Sequence, residues 1–169
     1  MIDIRPLEET DISAIVNALD QIVWNKPATL FQEYLKEQKE NERYVWVAHQ
    51  QNQFVGYVTL KVHSEYLPFA KKNIPEIKDL NVLPARRNQG IGSALMKKAE
   101  DKASAYSRVV GIGVGLTADY GNAQKLYVKS GYIPDSNGVT YQHESVKWGV
   151  DYKVDDDLVL WFIKDITSQ

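Results

Sequence analysis

The spacing of apolar residues along this chain switches between helical and strand periods in a set order, and that order constrains the fold more than any other feature. In "TDISAIVNALDQIVW", Ile12, Ile15, Val16, Leu19 and Val23 recur at helical spacing behind a cap at Thr10 or Asp11. A second helical stretch sets Leu30, Phe31, Tyr34 and Leu35 on one face. The period then changes: "RYVWVAH" and "QFVGYVTLKVH", rich in β-branched and aromatic residues and separated by "QQNQ", predict an antiparallel hairpin. "EIKDLNVL" (76–83), bounded by Pro75 and Pro84, predicts another strand, and Ile91, Leu95, Ala99 and Ala103 then share a helical face to about Tyr106. "RVVGIGVGL" reads as a buried strand, "NAQKLYVKSG" as a short helix ended by Gly131, and "DLVLWFIKDI" as a last strand. Between the last two, 134–156 carries an Asn137-Gly138 turn signal and reads as an exposed hairpin or excursion. The interleaving predicts a mixed α/β domain.

With 169 residues, 44% of them hydrophobic and 25% charged, the expectation is one compact soluble domain over 1–169. The absence of cysteine excludes a disulfide framework, a thiolate nucleophile and any cysteine-ligated metal. His49, His63 and His143 have no metal-ligand spacing, so no metal is expected. A net charge of −2 gives no reason to expect nucleic acid or an anionic membrane as partner, and any bound anion must be held by local design. The start "MIDIRPLEETD" lacks the basic, then apolar, pattern of a secretory signal, and no apolar run approaches the roughly 20 residues of a membrane span, so the expected location is cytoplasmic.

Anion-holding chemistry concentrates in "RRNQGIGSAL" (86–95). Placed after a strand and before a helix, such a loop can aim several backbone N–H groups at one anion, helped by the positive end of the helix dipole. Glycine matters there because a Cβ would hold phosphate oxygens off the backbone. Arg86 and Arg87 bring charge, and Ser93 a hydroxyl donor. A P-loop would need a Lys after Gly92 and a wider glycine spacing. A dinucleotide fingerprint would need G-x-G-x-x-G early in a βαβ unit, and "GIGVGL" lacks the third spacing inside a strand-like run. Taken alone, the loop is also readable as a tight turn holding nothing.

Two segments together decide between these readings. "VLPARRNQGIGSAL" resembles the V-x-P-x-x-[RQ]-[RQ]-x-x-G-x-[GA] segment of the GNAT superfamily of N-acetyltransferases, with Val82, Pro84, Arg87, Gly90 and Gly92 in the matching places. "NAQKLYVKSGY" resembles that superfamily's second motif, with Leu126, Tyr127, Gly131 and Tyr132 as expected and one departure, since Ala123 follows Asn122 at once. The resemblance implies a mixed, twisted sheet of about six to seven strands with helices on both faces. It implies acetyl-coenzyme A as cosubstrate, and strands around "KDLNVL" and "VGIGVGL" that begin side by side and splay to admit the pantetheine arm. Its pyrophosphate would lie on Arg87, Asn88, Gln89, Gly90, Ile91, Gly92 and Ser93, and its pantetheine amides on the backbone of Leu80, Asn81 and Val82. The missing side chains of the second glycine-rich stretch would permit a close approach. Tyr127 would give its phenolic proton to the coenzyme thiolate. Asn122 would contact the pantetheine or pyrophosphate, or else cap its helix.

An amine with a pKa near 10 is mostly charged at neutral pH, so transfer needs a base. Two acids lie on the right strand: Glu76, ranked first, matches the base of the superfamily's histone-modifying branch, and Asp79 a common acidic position in bacterial members. Strict alternation puts them on opposite faces, and a bulge, expected by resemblance, changes that count. A backbone N–H near Val82 would stabilise the carbonyl oxygen. The acceptor is not chosen by fold or cofactor. A small-molecule amine is favoured for a single domain without an appended module, with protein or peptide acetylation and a coenzyme A-binding sensor without turnover as alternatives. Trp24, Tyr66, Tyr120 and Trp148 could line an acceptor pocket or simply pack, and His63 could border it. Asp155 to Asp157 reads as a solvated turn, and a homodimer through the last strand or the excursion is the assembly open to the chain.

Overall fold

The computed structural model describes residues 1–167. The chain gathers into two compact units: residues 1–62 with 78–101, and residues 63–77 with 102 onward.

In the first unit, β1 (Ile2–Pro6), β2 (Arg43–Gln50) and β3 (Gln53–Lys61) form an antiparallel meander with Ile4 opposite Ala48 and Val47 opposite Tyr57. α1 (Ile12–Asp20) and α2 (Ala28–Lys39) lay Ile15, Leu19, Phe31 and Tyr34 on Val45, Val47, Phe54 and Tyr57, forming its core. β1 is a short strand with only two apolar side chains, Ile2 and Ile4, ahead of its proline. The β2–β3 turn is two residues, Gln51 and Asn52, both with positive φ, the backbone that matches strand twist even without glycine.

Three expectations here need correction. Val23 is exposed, because α1 ends at Asp20 and closes on itself: Val23 N–H donates to Asp20 O and Trp24 N–H to Leu19 O, leaving Val23 in the left-handed position that follows such an end. Neither Thr10 nor Asp11 caps α1 with its side chain. Asp11 instead ends a 3-10 turn and accepts from Glu8 N–H, with its carboxylate turned to Arg5. The helix α4 (Ile91–Ala103) stops at Ala103, short of Tyr106, and buries Ile91, Leu95, Met96 and Ala99.

In the second unit, β5 (Val109–Gly115) pairs antiparallel with β8 (Leu158–Asp165), β8 with β6 (Ile133–Tyr141), and β6 with β7 (Glu144–Ser145). Two short helices, α3 (Leu67–Ala70) and α5 (Gly121–Lys129), complete it. The strand β4 (Glu76–Val82) opens beside β5 in parallel, with Glu76 opposite Gly111 and Ile77 opposite Ile112. The glycines of β5 are there for packing: a Cβ on Gly111 would lie 2.1 Å from the Phe69 ring, on Gly113 2.9 Å from Trp161, and on Gly115 2.4 Å from Tyr120. Phe69 in turn packs edge-on to Tyr66 and Trp161, which stack on each other at 4.1 Å.

The late excursion forms the expected hairpin, β6 with β7, but its turn lies elsewhere than expected. Asn137-Gly138 is no hairpin turn but sits inside β6, where the register against β8 shifts between Pro134 and Val139. The β6–β7 turn is Gln142-His143, both with positive φ. Strands are hydrogen-bonded in the order β1-β2-β3-β4-β5-β8-β6-β7, eight among the described residues where about six to seven were expected. The fold is mixed α/β as anticipated.

Candidate active site

β4 carries most of the polar chemistry, and a single residue divides it. Asp79 has φ +51 in mid-strand, a left-handed conformation that aspartate and asparagine adopt more readily than most side chains, and Asn81 Nδ2 bonds its carbonyl oxygen at 3.0 Å. A left-handed residue in mid-strand interrupts the strict alternation of side chains between Glu76 and Asp79. The following residues run close to β3: Leu83 N–H donates to Val55 O, and a Cβ on Gly56 would lie 2.5 Å from Asn81 O.

Around Asp79 the first unit builds a network that its strand pattern did not reveal. Tyr34 on α2 donates its hydroxyl to Asp79 Oδ2 at 2.5 Å, and Lys26 Nζ, from the loop before α2, lies 3.6 Å from Oδ1. Burial first, then the charge and hydrogen bond of Asp79, push the Tyr34 phenol far above its ordinary pKa, so it stays a donor at every working pH. Arg43 sits 4.5 Å over the Tyr34 ring, pairs with Glu37, and donates to Thr59 Oγ1, which itself donates to Lys78 O. Both the backbone before Asp79 and its side chain are therefore tied to α2 and to the β2–β3 hairpin. A phenol on the otherwise apolar face of α2, one turn before Glu37, was the available sequence signal for this network. Lys26, on a loop, gave none.

The loop after β4 is a 3-10 turn (Pro84–Arg86) that leads through Arg87, Asn88, Gln89 and Gly90 into α4. Asn88 and Gly90 have φ +60 and +80, and a Cβ at Gly90 would meet nothing within 4 Å. The helical bonding begins with Ala94 N–H to Gly90 O, so the N–H groups of Ile91, Gly92 and Ser93 belong to the first turn, where the residue four back lies outside the helix. Arg87 is anchored by Nε to Val82 O at 3.3 Å and lies 5.5 Å over Trp24. Arg86 turns the other way, to Gln50 and Gln53 of the hairpin.

In the second unit Glu76 is only 2% exposed and accepts from Ser64 Oγ at 2.5 Å, while Ser64 Oγ accepts from Tyr66 N–H. Tyr127 is buried on α5, its ring 6.1 Å from that of Tyr132. Asn122 is exposed as the second residue of α5, behind Tyr120 at the cap position, so it is not the helix cap. Of the aromatic candidates, Tyr66 is buried and gives its hydroxyl to Asp135, Tyr120 covers Gly115 and bonds Asp156, and Trp148 stands fully exposed. His49 lies 3.7 Å from Asp11, His63 is exposed, and His143 occupies the β6–β7 turn. Among the described residues, no three His, Cys, Asp or Glu side chains are grouped to hold a metal, and no helix is long and apolar enough to cross a membrane.

Residues 12–132 match the model of the acetyltransferase (GNAT) family. No curated protein matches the sequence. Among solved structures, the ribosomal-protein-alanine N-acetyltransferase of Brucella melitensis is 21% identical with a TM-score of 0.67, over 96% of this chain and 99% of that one. A chimera of the Vibrio cholerae spermidine N-acetyltransferase SpeG with hSSAT is 16% identical with a TM-score of 0.68, over 98% and 95%. YncA of Salmonella typhimurium, solved with its cofactor acetyl-CoA, is 16% identical with a TM-score of 0.71, over 99% and 95%. At these identities the likeness is one of fold.

Proposed function

The chain belongs to the acetyltransferase (GNAT) family, and on that premise we propose that it transfers the acetyl group of acetyl-coenzyme A to the primary amine of a small molecule, by direct attack with both substrates bound. The turn from β4 into α4 carries this reading. Its exposed Asn88, Gln89 and Gly90, the first-turn N–H groups of α4 and the anchored charge of Arg87 fit a pyrophosphate, which needs many short donors and one cation in a backbone that can be approached closely. The backbone of Leu80, Asn81 and Val82, beyond the break at Asp79, would take the pantetheine amides.

The coenzyme supplies an acyl group already activated as a thioester. Asp79 takes the proton that the incoming ammonium must lose. Its carboxylate is 29% exposed, one oxygen held by Tyr34 and the other beside a cation, which suits a group that receives an amine. Glu76, enclosed and bonded to Ser64, is the second candidate. Val82 N–H would stabilise the charge that develops on the carbonyl oxygen. Tyr127 would return a proton to sulfur, and Asn122 would touch the coenzyme. A partly open Asp79 with its oxygens already flanked by Tyr34 and Lys26 supports a slender amine, and spermidine, the substrate named for one structural neighbour, belongs to that class.

Thermal unfolding with acetyl-coenzyme A, coenzyme A, NAD and ATP tests the reading. At 100 times its Kd a ligand stabilises by roughly 2.7 kcal/mol, or about 5–10 °C for a chain of this size. We expect that shift with the two coenzyme A species alone, and its loss in Gly92→Glu. Folded wild-type protein that fails to respond to either would overturn the proposal.

A further inference from the structure

The amine beside Asp79 is one of this chain's own. We propose that Lys26 is itself an acetyl acceptor: its Nζ occupies the amine position next to Asp79, and the protein acetylates it from acetyl-coenzyme A when no other amine is supplied. The inference rests on the function proposed above and names a target for it.

Asp79 cannot choose its direction freely, because its backbone is fixed at φ +51, its carbonyl is bonded by Asn81, and Tyr34 holds Oδ2. What remains is Oδ1, and Lys26 Nζ is 3.6 Å from it and 5.8 Å from the centre of the Tyr57 ring. A carboxylate oxygen and an aromatic face together form a site for an alkylammonium. Two other lysine ion pairs have a different character: Lys36–Glu33 and Lys97–Asp101 are one-turn pairs on helix surfaces, with lysine side chains 63% and 51% exposed, whereas Lys26 is 28% exposed and reaches across from another element. Asp79 also directly precedes Leu80, Asn81 and Val82, the residues assigned to the pantetheine arm.

In the step itself, the Lys26 ammonium passes one proton to Asp79, and the neutral Nζ forms a bond to the acetyl carbonyl carbon as the carbon–sulfur bond breaks. The sulfur leaves with the bonding electron pair and takes up the second proton lost by nitrogen. The products are Nε-acetyl-lysine and the coenzyme thiol, with one proton released from Asp79 to solvent. No oxidant or further reactant is required. An amine held in place reacts as an intramolecular nucleophile, so this lysine gains over any that must arrive by diffusion.

The test is incubation of the full chain with acetyl-coenzyme A and no added amine, followed by peptide mass spectrometry over time. Lys26 should acquire the acetyl group at least about tenfold faster than Lys36 and Lys97, although both are more exposed. Its first-order rate should not change when the protein is diluted. Asp79→Asn should remove the excess at Lys26 while the thermal shift with acetyl-coenzyme A persists. Equal rates at the three lysines, in protein that acetyl-coenzyme A does stabilise, would overturn the inference and leave the functional reading standing. Absence of any stabilisation would overturn both.

Discussion

Glu76 and Asp79 stand on one strand, and their surroundings could hardly differ more. Glu76 lies where β4 pairs regularly with β5, and it is enclosed and bonded to a buried serine. Asp79 lies where the strand leaves regular geometry, partly open, with a tyrosine on one oxygen and a lysine on the other. Glu76 is thus enclosed with a fixed partner, which in the proposed reading makes it the second candidate for the base. A break in the pairing turns the Asp79 carboxylate out toward α2 and makes it available. In the function proposed above, the left-handed residue opens the half of the strand that would take the amine and the pantetheine arm.

The comparison is broken most directly by exchanging each acid for its amide. Asn tolerates positive φ better than any other residue with a side chain, so Asp79→Asn should fold with little loss. It should cost about 10²- to 10⁴-fold in coenzyme A thiol release with spermidine or n-butylamine as acceptor, the usual worth of a general base. Glu76→Gln keeps an acceptor for the Ser64 hydroxyl and should change that rate by no more than about threefold, while lowering stability by about 1–2 kcal/mol. The reverse pattern would return the base to Glu76.

Smaller in effect, two glycines separate the halves of β4. An alanine Cβ at Gly56 would press on backbone, Asn81 O at 2.5 Å and Val82 Cα at 3.2 Å, so the outer half of the strand must move. At Gly111 it would press on the Phe69 ring, in the unit that holds Glu76. Each substitution should cost about 1–3 kcal/mol by overpacking. Only Gly56→Ala should also diminish the thermal shift given by acetyl-coenzyme A. If both variants diminish it equally, the halves of β4 are not functionally distinct.

Much of this was legible in the sequence, for identifiable reasons. Long periodic stretches such as 12–20 and 91–103 declared themselves, because burying one helical face requires one spacing. The loop at 87–93 was legible because glycines, arginines and a helix start combine in few other ways. β1 and β6 were not, since an edge strand has five residues and few apolar positions, and a strand interrupted by Asp135–Gly138 resembles a turn. The left-handed Asp79 was foreseen only as a bulge by resemblance. The Tyr34–Asp79–Lys26 cluster joins three elements distant in sequence, and spacing carries no information about which of them meet. Asp11 shows the same limit: its place before an apolar run suggested a helix cap, whereas the tertiary fold gave it to Arg5.

Asp11 also supplies the mildest prediction, a third carboxylate whose effect should appear in stability and not in rate. It is buried, which disfavours its charge, yet two bonds from Arg5 at 2.8 and 2.6 Å, the N–H of Glu8 and the neighbouring His49 outweigh burial and hold its pKa below the usual aspartate range. The folded value being the lower one, the stabilisation is complete above the unfolded value of about 4 and disappears as pH falls through the folded value. The Arg5 side chain is about one-third exposed, so screening limits the pair to about 0.5–1.5 kcal/mol. Asp11→Asn should accordingly lower the unfolding free energy measured in urea at pH 7 by that amount, the gap should narrow at pH 3, and acetyl transfer by the folded protein should be unchanged. A gap that is the same at both pH values would mean that Asp11 contributes through its shape and not its charge. A loss of rate would extend the functional polar network to the start of α1, well beyond the half of β4 in which the proposed function places it.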